Sequence, residues 1–358
     1  MPKTIDLLTE LISYNSSDKK SANETIMFCH DWLEKEQLQP EILTNDGYKM
    51  LICEVGKGKH KLVLNGHVDV VSGKPHQFTP KIKDGKVYGR GSADMKSGVS
   101  AMMVAMSELQ HINLGDTTVQ LQLVSDEEIG GKHCAAYLTE EGYLGDFVIC
   151  GEATQLGIGF QAKGILQFDI TIEGESAHSS RPWEGENAIA KALKLHENIL
   201  ALPFAQASTE IYDKPSINLA KISGGDVYNK VPDICEVSYD IRYLPSQDYE
   251  DILSQIKGIT DGTIQLHLIG PAVKNDAENR HIKNLANTIK ETLGSVDVAI
   301  FGQHGFADTR YFSRFGVPAI EFGPTGAEWH GDGEYVEIDS VESYKDILVN
   351  FAQHFTNK

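Results

Sequence analysis

Cysteine is scarce in this 358-residue chain. The five residues (Cys29, Cys53, Cys134, Cys150 and Cys235) are odd in number, scattered, and form no CxxC pair. That excludes a disulfide framework, suits a reducing cytoplasm and predicts buried free thiols. Positive charge is also short: 32 Lys and Arg stand against 51 Asp and Glu, a net charge of −19. A chain this acidic repels phosphate backbones, so nucleic acid and anionic membrane surfaces are not expected partners. No apolar run approaches the roughly 20 residues of a spanning helix. The opening Met1-Pro2-Lys3-Thr4-Ile5-Asp6 carries an early acid and no apolar signal core. Internal repeats and low-complexity tracts are absent from the sequence. What remains is ordinary globular usage, 41% apolar and 23% charged. The length fits about two domains and a core that folds without staples.

Strand and helix patterns alternate through the first part. Thr4 to Ile12 has helical spacing, and a second helix is expected after Asn23. Lys61 to Asn65, Val119 to Val124 and Phe147 to Cys150 read as buried strands, with a helix from Met95 to Leu109 between the first two. After Gly157 the character changes. Leu166 to Ile172 alternates with period two, the mark of a strand with one wet face. Helices from Asn187 and Tyr249 and strands near 216–222, 234–243 and 264–268 follow. Beyond Pro271 the first pattern resumes, with a helix from Asn284, a strand over 296–301, a helix from Asp308, a strand over 319–322 and a last helix from Val341. The expected fold is α/β. A catalytic domain with a mainly parallel, mixed sheet flanked by helices (1–157 and 271–358) is interrupted by an inserted α+β domain with an antiparallel sheet (158–270).

Chemistry-bearing residues fall at strand ends. His67 and Asp69 follow the 61–65 strand, where period two puts them on one face, and an acid there can orient an imidazole. From that pair alone a plain structural His–Asp hydrogen bond is the better reading. Asp94 lies in Gly89-Arg90-Gly91-Ser92-Ala93-Asp94 before a helix, either as a first-turn acid or as a carboxylate bridging two cations. The glycines do not form a dinucleotide fingerprint. Asp126-Glu127-Glu128 follows the 119–124 strand, where three acids repel unless something positive sits among them. Glu152 follows the 147–150 strand, and His330 lies in a Gly- and Pro-rich loop after the strand ending at Phe322. Together they place two histidines and three carboxylates at one sheet edge, the ligand mix of a two-zinc hydrolytic centre. Two Zn²⁺ against three carboxylates and one hydroxide sum to zero charge, leaving Glu127 free of metal.

The runs NGHVDVV, GRGSADMKSG, SDEEIGG, GEAT, GESAHSSRP, GGDVYNKVPD with DIRYLP, and EFGPTGAEWHGDGEYV are specific in combination. With them the chain resembles, over nearly its whole length, the M20 family of metallo-aminoacylases and peptidases. The resemblance is to the acetylornithine deacetylase and succinyl-diaminopimelate desuccinylase branch. It implies that His67, Asp94 and Glu152 hold one zinc and that Asp94, Glu128 and His330 hold the other, Co²⁺ being able to substitute. It further implies that Asp69 orients His67 and that Glu127 is the general base. The inserted domain is similar to the family's lid and dimerisation domain, which implies a homodimer. By the same resemblance His178 steadies the oxyanion in the partner subunit's site, and Asn229 and Arg242 contact substrate. An ion pair between Arg242 and Asp240 is the bland alternative. His304 reads as a satisfied loop histidine ahead of a pocket residue. The implied reaction removes the acyl group of a small N-acyl amino acid in the cytoplasm. A dipeptidase or carboxypeptidase of the same family is the alternative, and a non-catalytic metal-binding protein is the reading from another class.

Overall fold

The computed structural model describes residues 1–294, 297–305 and 307–356. Val296, the expected start of a strand, lies outside them; the neighbouring strand is found at Ile300–Gln303. The chain divides into two compact units, one comprising Met1–Phe160, Asn275–Phe301 and Ala307–Lys358, the other Gln161–Lys274 with Gly302–Phe306.

The first unit is α/β with a mixed sheet. Four neighbouring strands run parallel, in the order Thr117–Val124, His60–His67, Phe147–Cys150, Ala319–Glu321. Thr117–Val124 is buried at every position, as a strand covered on both faces must be. On one face the helices Lys3–Ser13, Lys96–Leu109 and Ile338–Gln353 supply Leu8, Met102 and Ile347 to a core shared with Leu64 and Leu121. On the other face Val63, Val148 and Ala319 meet Phe312 of the short helix Thr309–Ser313. Helix Lys96–Leu109 approaches the strand ends so closely that a Cβ on Gly98 would lie 2.2 Å from the Gly151 carbonyl. All five cysteines are buried and free.

Three features depart from the sequence expectation. The second helix starts at Lys19, because Asp18 Oδ1 caps it by accepting from the Lys20 and Ser21 amides. Its first turn, Lys19-Lys20-Ser21, has no apolar residue to reveal it. Asn23 serves a neighbouring hairpin instead, accepting from Lys49 N and donating to Gly47 O. That hairpin, Glu41–Asn45 with Tyr48–Gly56, turns through Asp46 and Gly47 at φ 49° and 75°, the pair such two-residue turns favour. It adds the antiparallel edge that makes the sheet mixed. The other departure is the antiparallel strand Ile158–Ala162 beyond Ala319–Glu321.

The second unit is a four-stranded antiparallel sheet in the order Ser216–Gly224, Ile234–Tyr243, Gly164–Glu173, Thr263–Gly270. One face packs Phe168, Ile170, Val237 and Ile241 against Ala192, Ile199 and Ile252 of helices Ala188–Leu200 and Tyr249–Lys257. The alternation of Gly164–Glu173 follows from that single covered face.

Candidate metal centre

The parallel strands end side by side, and the residues just past their ends converge. His67 closes its strand. Glu127 and Glu128 form a single 3-10 turn after Thr117–Val124, and Glu152 follows Phe147–Cys150 by two residues. Asp94 comes from the loop before helix Lys96–Leu109, next to a cis Asp94–Met95 peptide bond, and His330 from the loop between the short strands Gly326–Ala327 and Tyr335–Glu337.

Asp94 stands at the centre with its two oxygens divided. Oδ1 is 3.0 Å from His67 Nε2, and Oδ2 is 3.2 Å from His330 Nε2. Glu152 Oε1 lies 3.6 Å from His67 Nε2, and Glu128 Oε2 lies 3.4 Å from His330 Nε2. The donor atoms of His67, Asp94 and Glu152 lie within 4.8 Å of one another, and so do those of Asp94, Glu128 and His330. Glu127 belongs to neither trio, yet its Oε2 is 4.0 Å from His67 Nε2.

The His67 ring is oriented by a group the sequence does not reveal. Its Nδ1 lies 3.0 Å from the backbone carbonyl of Asp69, which can only accept. Nδ1 therefore carries a proton, and Nε2 is the ring atom turned toward Asp94 and Glu152. The Asp69 carboxylate sits 3.6 Å from Nδ1 through Oδ1, while Oδ2 accepts from the Glu128 amide at 2.9 Å. Asp69 thus braces His67 with its main chain and the Glu127–Glu128 turn with its side chain.

Four carboxylates crowd two imidazoles, and the electrostatics follow. Burial raises the Glu127 carboxyl well above its ordinary value, with Asp308, Glu152 and Asp94 adding to the rise and His67 opposing it. Burial, then repulsion from Asp94, lifts Glu128 to about 7, and the same two causes raise Glu152. Burial opposes charge on Asp94 too, but hydrogen bonds from His330 and His67 hold it below the usual carboxylate range. Burial also works against a charged His67, yet its contacts with Asp69, Asp94 and Glu152 raise it well above normal. His330 is raised chiefly by its bond to Asp94. Such a cluster has an excess of negative charge at short range, the condition that divalent cations relieve. Nitrogen and carboxylate donors in two groups sharing one acid are of the type that binds zinc.

Other residues support the site without having been predicted to. Arg310 donates to the Gly130 carbonyl at 2.8 Å, and Tyr311 bonds the same atom, pinning the turn that carries Glu127. Gly131, in that turn at φ 64°, admits no side chain, since a Cβ would sit 2.3 Å from Asp308 Oδ1. Lys96, fully buried, donates to the Leu11 and Tyr14 carbonyls and ties the Asp94 loop to the end of helix Lys3–Ser13.

The remaining expected residues belong to the second unit. His178 is exposed and bonds Ser180 Oγ at 2.7 Å. Asn229 is exposed and accepts from Ser179 N through its backbone carbonyl. Arg242 is half-buried and grips Asp240, Nε to Oδ1 at 2.8 Å. His304 is exposed and packs edge-on against Tyr212.

Among curated proteins, the chain is 28% identical to a probable succinyl-diaminopimelate desuccinylase of Staphylococcus aureus (strain MRSA252), covering 96% of this chain and 95% of that one. Among solved structures it resembles aminopeptidase PepT from Bacillus cereus ATCC 10987 (TM-score 0.84, 19% identity, 98% of this chain and 97% of that one). It also resembles the M20 family metallo-carboxypeptidase Sso-CP2 from Sulfolobus solfataricus (TM-score 0.81, 18% identity, 99% of both chains). No described helix is long and apolar enough to cross a membrane. The sequence pattern of peptidase family M20/M25/M40 matches residues 63–354, which span His67, Asp94, Glu127, Glu128, Glu152 and His330. The chain belongs to that family and is a metal-dependent amidohydrolase.

Proposed function

We propose that this protein hydrolyses the amide bond of a small N-acyl amino acid of the N-succinyl-diaminopimelate or N-acetylornithine type, releasing a carboxylate and a free amine. The observation that carries the reading is the division of Asp94, one oxygen toward His67 and the other toward His330, with Glu127 close to His67 and in neither trio. The donor set fits two Zn²⁺, with Co²⁺ as a substitute. His67, Asp94 and Glu152 would hold one ion and Asp94, Glu128 and His330 the other. When bound, such a pair acidifies water and polarises a carbonyl.

Glu127 is the group left to move protons. Its buried carboxylate takes a proton from the attacking water at Oε2 and returns it to the departing nitrogen. The raised affinity of that carboxyl for a proton suits both halves of the task. Asp69 keeps His67 in its Nδ1–H form through the main-chain contact. The 158–270 segment is read as a lid and dimerisation domain inserted in a catalytic domain of 1–157 and 271–358. From it His178 would steady the oxyanion of the partner's site in a homodimer. Asn229 would contact substrate, and Arg242 would exchange Asp240 for a substrate carboxylate. A cytoplasmic location accords with five free, buried thiols. The name of the staphylococcal relative favours the succinyl substrate.

The test is a side-by-side rate comparison on N-succinyl-diaminopimelate, N-acetylornithine and a set of dipeptides, with added Zn²⁺ or Co²⁺. Faster turnover of an N-acyl amino acid is expected. Preferred turnover of dipeptides would reassign the chain to a dipeptidase or carboxypeptidase. Bound metal with no hydrolysis of any substrate would make it a metal-binding protein without catalysis.

A further inference from the structure

One buried ion pair outside both trios touches the backbone of two of their members. Glu334 is 1% exposed and Arg90 3%, and the two are bonded across 244 residues of sequence. Glu334 Oε1 accepts from the Ala93 amide at 3.0 Å and from the Asp94 amide at 3.1 Å. Its Oε2 takes Arg90 Nη1, while Arg90 Nη2 donates to the His330 carbonyl at 3.0 Å. The Gly89 amide donates to the Glu334 carbonyl, closing the link from the other side. One carboxylate–guanidinium pair therefore joins the loop of Asp94 to the loop of His330.

Stability does not explain the pair. Replacing a buried ion pair by apolar groups is often neutral or stabilising, because desolvation offsets most of the attraction. His330 itself sits at φ 60°, a left-handed conformation that a non-glycine residue adopts at a cost. Its side chain is 53% exposed, so packing around the ring does not fix it. The Arg90 bond to its carbonyl is a direct restraint on that backbone.

We infer that Arg90 and Glu334 are positioning residues that set the distance between Asp94 and His330, and so tune ion affinity at the Asp94–Glu128–His330 trio selectively. The inference rests on the two-ion reading above. Groups that hold a ligand in place from behind typically contribute 10- to 100-fold in metal affinity.

The test uses the full-length apoprotein titrated with Co²⁺, followed by calorimetry and the visible spectrum. His330→Ala assigns which of the two binding steps belongs to the His330 trio. The variant Arg90→Met with Glu334→Gln removes the charge pair but leaves an amide oxygen to accept from Ala93 and Asp94. It is expected to weaken the His330 step about 10- to 100-fold and shift its spectrum. The other step should change less than about 3-fold, and apoprotein melting should stay near the parent's. Should the double variant fail to fold, Arg90→Lys carries the test. It keeps the charge, cannot span Glu334 and His330 together, and should weaken the same step about 10-fold. An unchanged His330 step, or equal weakening of both steps with a lowered melting temperature, would overturn the inference. A parent protein that binds only one Co²⁺ would instead overturn the two-ion reading.

Discussion

His67 ends a strand held between two parallel neighbours, and its side chain is 1% exposed. His330 sits in a loop at positive φ with its side chain 53% exposed. The two histidines face opposite oxygens of one carboxylate, yet they are held by different means. Around His67 the sheet does the positioning, since His67 and Glu152 are set by strand register and by the helix pressed against Gly151. His330 lies in the loop between the short paired strands Gly326–Ala327 and Tyr335–Glu337, and discrete hydrogen bonds to the loop backbone hold it there. A site at strand ends can therefore combine a half whose geometry is a by-product of the fold with a half assembled by a few side chains.

The largest expected effect tests whether the halves are linked at all. Asp94→Asn should release both ions and reduce turnover to background, checked by metal analysis of the purified protein. A variant that keeps one tightly held ion would show that the halves stand alone. Next comes Glu127→Gln, which should keep both ions and lower turnover by about 10²- to 10⁴-fold. Parent-like turnover would remove Glu127 from the chemistry and leave the contrast between halves purely structural. Removing one histidine at a time then separates the two. His330→Ala should keep the ion at His67, whereas His67→Ala should lose its own ion and lower the melting temperature, because it also opens a cavity among buried strands.

The smallest effect concerns the support of the buried half. His281 is 5% exposed, stacked on Phe147 at 5.2 Å and Phe355 at 4.5 Å. Phe147 begins the strand that leads to Glu152. Burial, then the Arg280 guanidinium, lowers the His281 imidazole to about 4. Between about pH 6.5 and 4 the unfolded chain thus binds a proton that the folded one refuses. The stability present above pH 6.5 is lost as pH falls through that window, by up to about 3 kcal/mol. Denaturant unfolding at pH 7 and pH 4.5 should show the loss, and His281→Phe should flatten it. An equal slope in the variant would place the acid sensitivity elsewhere.

The degree to which sequence reveals each half follows the same division. Four ligand-type residues come directly after apolar runs, and a parallel strand buried on both faces is such a run, so their shared edge is readable from pattern. The two-residue period put the Asp69 side chain beside His67, but the atom within hydrogen-bond reach is the main-chain oxygen, which no side-chain pattern encodes. Arg90 and Glu334, 244 residues apart, leave no local trace, because each alone reads as an ordinary surface charge. The start of the second helix was obscured for a different reason, its first turn being all polar and its boundary set by Asp18. The Asp-Gly turn at 46–47 carried a signal for the hairpin that apolar runs did not, and that edge is missed when only such runs are counted.

The strand Ala319–Glu321 lies between Phe147–Cys150 and Ile158–Ala162, although the whole second unit is translated in between. During synthesis the slot stands open, with hydrogen-bonding edges of two apolar strands bared to any extended peptide nearby. Ribosome stalling before residue 319 would leave a sticky, half-closed sheet, so for this fold the hazardous moment of birth comes after the second unit is made and before that strand arrives.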